Sequence, residues 1–121
     1  MGLSVNIMRG GFSAGQAKAL NGAVASTVSA AGTTQTGATA LAADYNRVST
    51  VAASSGVRLP SCEIGDWLVV YNAGANPLTV YPPTSGTINQ VAANGGVLLG
   101  INTECLFRKW TSTIWTGNLS A

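Results

Sequence analysis

The stretch Trp67-Leu68-Val69-Val70-Tyr71-Asn72-Ala73-Gly74-Ala75-Asn76-Pro77-Leu78-Thr79-Val80-Tyr81 decides the fold class. Trp67 to Tyr71 is apolar at every position and dominated by β-branched and aromatic side chains. That is the pattern of a strand covered on both faces. Asn72 to Pro77 is turn chemistry, because Asn, Gly and Pro favour backbone angles that a strand does not use. Leu78-Thr79-Val80-Tyr81 alternates cleanly and reads as the hairpin partner of the first run. Pro82-Pro83 stops it, since proline brings no N–H to a ladder.

Short apolar runs recur on both sides of this stretch. Upstream lie Asn46 to Val51, then Gly56-Val57-Arg58-Leu59 ended by Pro60, then the turn Glu63-Ile64-Gly65-Asp66. Downstream lie Thr87-Ile88-Asn89, the turn Asn94-Gly95-Gly96, and a strand over Val97 to Ile101. A strand over Glu104 to Trp110, the tight turn Thr111-Ser112 and a strand over Thr113 to Thr116 complete the series. No helix-length periodic segment lies between them, which excludes βαβ units. The expectation for residues 35–121 is an all-β domain, a small antiparallel β-sandwich or barrel of about seven to eight short strands.

Residues 1–34 read as an N-terminal arm. Leu3-Ser4-Val5-Asn6-Ile7 alternates strictly and predicts a short strand that needs an edge to join. Ser13 and Gln16 have the spacing of a capping box. Ala17 to Leu20 continue the helical propensity, and Asn21-Gly22 supplies a left-handed stop. The arm therefore carries one short helix of two turns at most, too short to be stable alone. Residues 23–37 read as extended or irregular. Such an arm must lie on its own β domain, on a sister subunit or on another protein.

Leu, Ile, Val and Phe number 28 of 121 residues. That exceeds the one-fifth below which disorder is the default, but builds no thick core. Gly, Ala, Ser, Thr and Asn together exceed half the chain, and charged residues are only 8%. Small neutral residues suit flat β surfaces and close subunit contacts. They do not suit nucleic-acid binding, which needs a basic footprint. The six basic residues, Arg9, Lys18, Arg47, Arg58, Arg108 and Lys109, are scattered. No uninterrupted apolar stretch approaches a membrane span.

Catalytic chemistry finds little material. The chain has no His. The carboxylates are Asp44, Glu63, Asp66 and Glu104; Glu63 and Asp66 flank Gly65 in a turn and read as polar loop residues. Cys62 and Cys105 lack a histidine base for nucleophilic catalysis. They also supply only two of the four ligands of a zinc site. The two thiols can form one disulfide or stand as small apolar side chains; the spacing demands neither. The expectation is a protein that is not an enzyme, with no catalytic, metal or cofactor residues. Trp67, Tyr71 and Tyr81 read as core. Trp110 and Trp115 flank a hairpin turn and read as core or subunit interface rather than a ligand-stacking platform.

The segments Thr36 to Leu41, Asp44 to Val48, Gly56 to Pro60 and Gly65-Asp66 occur in this order before the most specific phrase. That phrase is N-x-G-x-N-x-L-x-V-Y-P over Asn72 to Pro82, followed by Ile88-Asn89. Together they resemble a family of tailed-phage virion proteins with a compact β domain, of the kind found on capsid decoration and head-fibre proteins. The resemblance covers about two-thirds of the chain. It implies a structural virion protein, commonly a homotrimer, with the major capsid protein as partner and the capsid exterior as location. A short arm suits direct attachment to a shell better than a fibre shaft does. Leu3, Val5, Ile7 and Phe12 would pack on the shell, and Arg9 and Lys18 would meet its acidic groups. The alternative placement of these residues is over the domain's own sheet. The alternative function is a tail or head-fibre tip domain that binds host-surface glycans.

Overall fold

In the computed structural model, which describes residues 23–119, Trp67–Asn72 forms a strand (β5), but the run that follows is not its partner. Leu78–Tyr81 (β6) lies in a different sheet. The chain alternates between two sheets throughout its first half. β1 (Val24–Ser29), β3 (Tyr45–Thr50) and β5 belong to one; β2 (Thr39–Ala40), β4 (Gly56–Arg58) and β6 belong to the other. Within each sheet these strands pair in parallel. Each pair of strands is thus one turn of a solenoid-like coil.

After β6 the chain reverses. β8 (Val97–Leu99) runs antiparallel to β6, and β9 (Glu104–Lys109) antiparallel to both β5 and β10 (Ile114–Gly117). β7 (Thr87–Ile88) lies parallel to β10 at the far edge. The first sheet has the order β1-β3-β5-β9-β10-β7 and the second β2-β4-β6-β8.

The all-β class stands, and the antiparallel sandwich or barrel is corrected. Five of the eight strand pairings are parallel, and the described residues hold ten strands. The hairpin expected across Asn72 to Pro77 does not form. Those residues carry the chain from one sheet to the other. The hairpin of β9 and β10 forms as expected. β1 lies inside the stretch read as arm and pairs with β3, so among the described residues the sheet already includes Val24, ahead of residue 35. The expected strand at residues 3–7 and the expected short helix lie outside the described residues.

Both sheets feed one core. Val48, Val70, Phe107 and Trp115 enter it from the first sheet, and Val57, Leu78, Val80 and Leu99 from the second. Alternation decides which side chains enter: Leu68, Val70 and Asn72 of β5 point in, whereas Trp67, Val69 and Tyr71 point out. The reading of β5 as covered on both faces is therefore corrected, since among the described residues its outer face is exposed at Trp67 and only half-buried at Val69 and Tyr71. The coil's corners stack as well. The Leu41 N–H donates to the Arg58 carbonyl, and the Leu59 N–H to the Tyr81 carbonyl, so each corner is tied to the next turn.

Tyr81 shows why small residues are needed here. Its ring lies on the outer face of the second sheet between Gly56 and Gly96. A Cβ on either glycine would come within 2.6 Å and 3.0 Å of ring atoms respectively. The Tyr81 hydroxyl donates to the Thr33 carbonyl at 3.0 Å, and Gln35 Nε2 to the Pro82 carbonyl at 3.1 Å. These two bonds hold the segment between β1 and β2 against the sheet.

The two C-terminal tryptophans part company. Trp115 is 1% exposed and belongs to the core, so it has no surface to offer a sister subunit. Trp110 is 57% exposed, with its indole N–H donating to Thr116 Oγ1. Trp115→Ala is expected to lower the free energy of unfolding by about 3–5 kcal/mol. Trp110→Ala should cost less than about 1 kcal/mol. Urea unfolding of both variants checks the pair of values.

Candidate interaction surface on the first sheet

The outward side chains of β1, β3, β5 and β9 form rows across the sheet, because strand register aligns them. One row is Val24, Tyr45, Val69 and Leu106, apolar in all four strands. The next holds Arg47, Tyr71 and Glu104. A third holds Trp67, Arg108 and Thr116. The Tyr45 and Trp67 rings meet edge to face, with centroids 5.8 Å apart and planes at 75°. Trp110 and Ile114 extend this face beyond Thr116, and both are exposed. The result is an apolar and aromatic surface with Arg47 and Arg108 set into it. Arg47 is partly committed, as its guanidinium donates to the Ser26 carbonyl at 2.9 Å.

Sequence reasoning missed this face. The sequence pattern predicts Trp67 and Tyr71 as core, and gives Val24, Tyr45 and Leu106 no role on a surface. The signal exists as the alternation within each strand, but it becomes a surface only once parallel neighbours bring the rows together. The residues expected to bind a shell, Leu3, Val5, Ile7, Arg9, Phe12 and Lys18, lie outside the described residues. The second sheet carries an open groove of about 510 Å³ between Ser54, Asn76, Thr79 and Leu98, with no charged side chain lining it.

The phrase N-x-G-x-N-x-L-x-V-Y-P has a structural explanation at each fixed position. Asn72 is fully buried. Its Nδ2 donates to the Asn76 and Leu99 carbonyls at 2.9 and 3.1 Å, and its Oδ1 accepts the Gly74 N–H at 3.0 Å. Asn76 Nδ2 donates to the Val51 carbonyl of the preceding turn at 2.8 Å. Leu78 and Val80 enter the core, and Tyr81 and Pro82 anchor the segment before β2. Asn89 acts as a backbone mimic: its amide exchanges two hydrogen bonds with Gly117, at 3.0 and 2.9 Å. These residues hold the coil together.

The titratable groups do not converge. Among the described residues no three His, Cys, Asp or Glu side chains are grouped as a metal would need. Asp66 Oδ2 accepts the Glu63 N–H at 3.0 Å, closing the turn that the two carboxylates flank. Asp44 Oδ2 accepts the Ala23 N–H at 3.0 Å. Lys109 Nζ donates to the Cys62 carbonyl and ties that turn to β9. Both cysteines are free thiols. Burial pushes the Cys62 thiol up, partly opposed by the Lys109 charge. Burial pushes the Cys105 thiol from 9.0 up to about 11, and its S–H donates to Asn118 Oδ1 at 3.3 Å. No family model, curated protein or solved structure matches this chain.

Three measurements check this assignment. Asn72→Ala removes three hydrogen bonds to backbone groups, the one to the Leu99 carbonyl being buried, and is expected to destabilise the fold by about 2–3 kcal/mol in urea unfolding. The Cys105 thiol stays protonated in the folded chain while the unfolded chain ionises, so folding loses stability as pH rises from 9.0 to about 11. Thermal unfolding across that window should therefore fall more steeply for the natural chain than for Cys105→Ala. A thiol reagent at pH 8 should label Cys62 well before Cys105.

Proposed function

We propose that this protein decorates the outside of a bacteriophage capsid, binding the major capsid protein and stabilising the shell as a homotrimer. The observation that carries the reading is the outward face of the first sheet. Among the described residues, a strand as apolar as Trp67–Tyr71 leaves Trp67 exposed and Val69 and Tyr71 half-buried, beside exposed Val24 and Tyr45 and half-buried Leu106. Contiguous apolar surface of this kind is characteristic of protein contacts, and a sister copy supplies a cover of matching chemistry. The ordered segments from Thr36 to Asn89 support the phage virion setting through their family resemblance. The scarcity of charge supports a protein that works by contact and copy number, each weak contact being multiplied over a repeating lattice.

In this reading Leu3, Val5 and Phe12 meet apolar ground on the shell, and Arg9 meets its acidic groups. Immuno-electron microscopy on phage particles is expected to label the head exterior, and label confined to the tail tip would sink the reading. The paired change Leu3→Asp with Val5→Asp should reduce co-sedimentation with purified shells by at least about tenfold, a loss of 1.4 kcal/mol or more.

A second reading is a fibre-tip domain that binds host-surface glycans. The observation favouring it is Trp110, exposed at the edge of an aromatic face that also holds Trp67 and Tyr45. Glycan-array binding lost in Trp110→Ala, on a protein located at the tail, would select it.

A further inference from the structure

The outward face of the first sheet is electrically polarised. Arg47, Tyr71 and Glu104 stand side by side on β3, β5 and β9, because register sets Arg47 beside Tyr71 and Tyr71 beside Glu104. The two charged residues are exposed, and Tyr71 between them is half-buried. Two strand spacings, about 10 Å, separate them. The Arg47 guanidinium donates to the Ser26 carbonyl at 2.9 Å, which draws its charge toward β1 and away from Glu104. Glu104 stands at the opposite margin. β10 pairs with β9 at Phe107, Arg108 and Lys109, so at the level of Glu104 β9 is the last strand among the described residues. The row is therefore positive on its β1 side and negative on its β9 side.

Next to it runs the apolar row of Val24, Tyr45, Val69 and Leu106. An apolar row beside a polarised one can complement a second copy of itself. When three copies turn this face toward a common axis parallel to the strands, the β1 side of each face meets the β9 side of the next. Rotation about such an axis leaves height along the strands unchanged, and register gives Arg47 and Glu104 the same height. Each Arg47 then comes to the Glu104 of its neighbour, and the contact closes into a ring. Guanidinium and carboxylate make a charge-assisted pair there.

We propose that the homotrimer is built on this face, with Arg47 of each copy paired to Glu104 of the next and Tyr45 and Val69 turned toward the axis. This contact rests on the homotrimer reading and adds a sense of rotation to it. Apolar burial supplies most of the affinity. The ion pairs decide which edge meets which, since charges at an interface contribute to specificity more than to strength.

Charge exchange on the full chain tests the contact. Sedimentation of the natural chain is expected to give the mass of three chains. Arg47→Glu alone and Glu104→Arg alone each set like charges together, and each should raise the dissociation midpoint by at least about tenfold. The double variant restores opposite charges in exchanged places and should return the midpoint to within about threefold of the natural value. Salt at about 1 M screens exposed charges, so it should strengthen association of either single variant and weaken that of the natural chain. Glu104→Gln keeps the shape without the charge and should weaken association in low salt only. Both positions are exposed, so far-ultraviolet circular dichroism should be the same for every variant. A trimer that the single reversals leave intact, or that the double variant fails to restore, would overturn this contact and leave the homotrimer reading standing. A natural chain that stays monomeric, or that stops at two copies, would overturn both.

Discussion

One buried amide joins the two halves of this architecture. Asn72 sits at the end of β5, where the chain leaves the first sheet for β6 in the second. Its backbone N–H donates to Thr103 and its carbonyl accepts from Asn102, both in the turn before β9. Its side chain reaches Gly74, Asn76 and Leu99, so the same residue bonds the crossing loop and the second sheet. A polar side chain with no exposure costs free energy unless its hydrogen bonds are satisfied, and here every one is. Losing these bonds would leave the Leu99 carbonyl without its buried partner and release the loops at Gly74, Asn76 and Thr103.

Strands were legible in the sequence and their partners were not. Residues Trp67 to Tyr71, Val97 to Leu99, and the pair Glu104–Lys109 and Ile114–Gly117 announced themselves through apolar runs and turn chemistry. Alternation is a property of a single strand, however, and says nothing of which neighbour it meets. Asn72 to Pro77 has the composition of a hairpin loop, and only the buried amide of Asn72 reveals that the loop crosses between sheets. β2 was read simply as part of a segment because two residues, Thr39 and Ala40, carry no pattern of their own. They are strand because Val57 and Arg58 lie beside them.

The candidate surface was illegible for the same reason. Trp67 and Trp115 look alike as isolated aromatics in strands. Register places the first beside Arg108 on the outside and the second opposite Lys109 with its ring in the core. What composition did convey was the character of the surface: few charges, many hydroxyls and small side chains. A face built from Tyr45, Val69, Leu106 and Trp67 adds the apolar area on which a contact-making protein depends.

Parallel turns also set the order in which the chain can become structured. Among the described residues β1 has no partner until β3 is made, and β3 has none on its far side until β5 follows. β9, which covers the other edge of β5, arrives near the C-terminus. The apolar interior therefore stays unsealed until β9 and β10 are in place. Non-local pairing of this sort slows folding and leaves edges exposed meanwhile. A sequence so rich in Gly, Ala, Ser and Thr, with its apolar runs kept to a few residues each, gives that waiting chain little with which to aggregate.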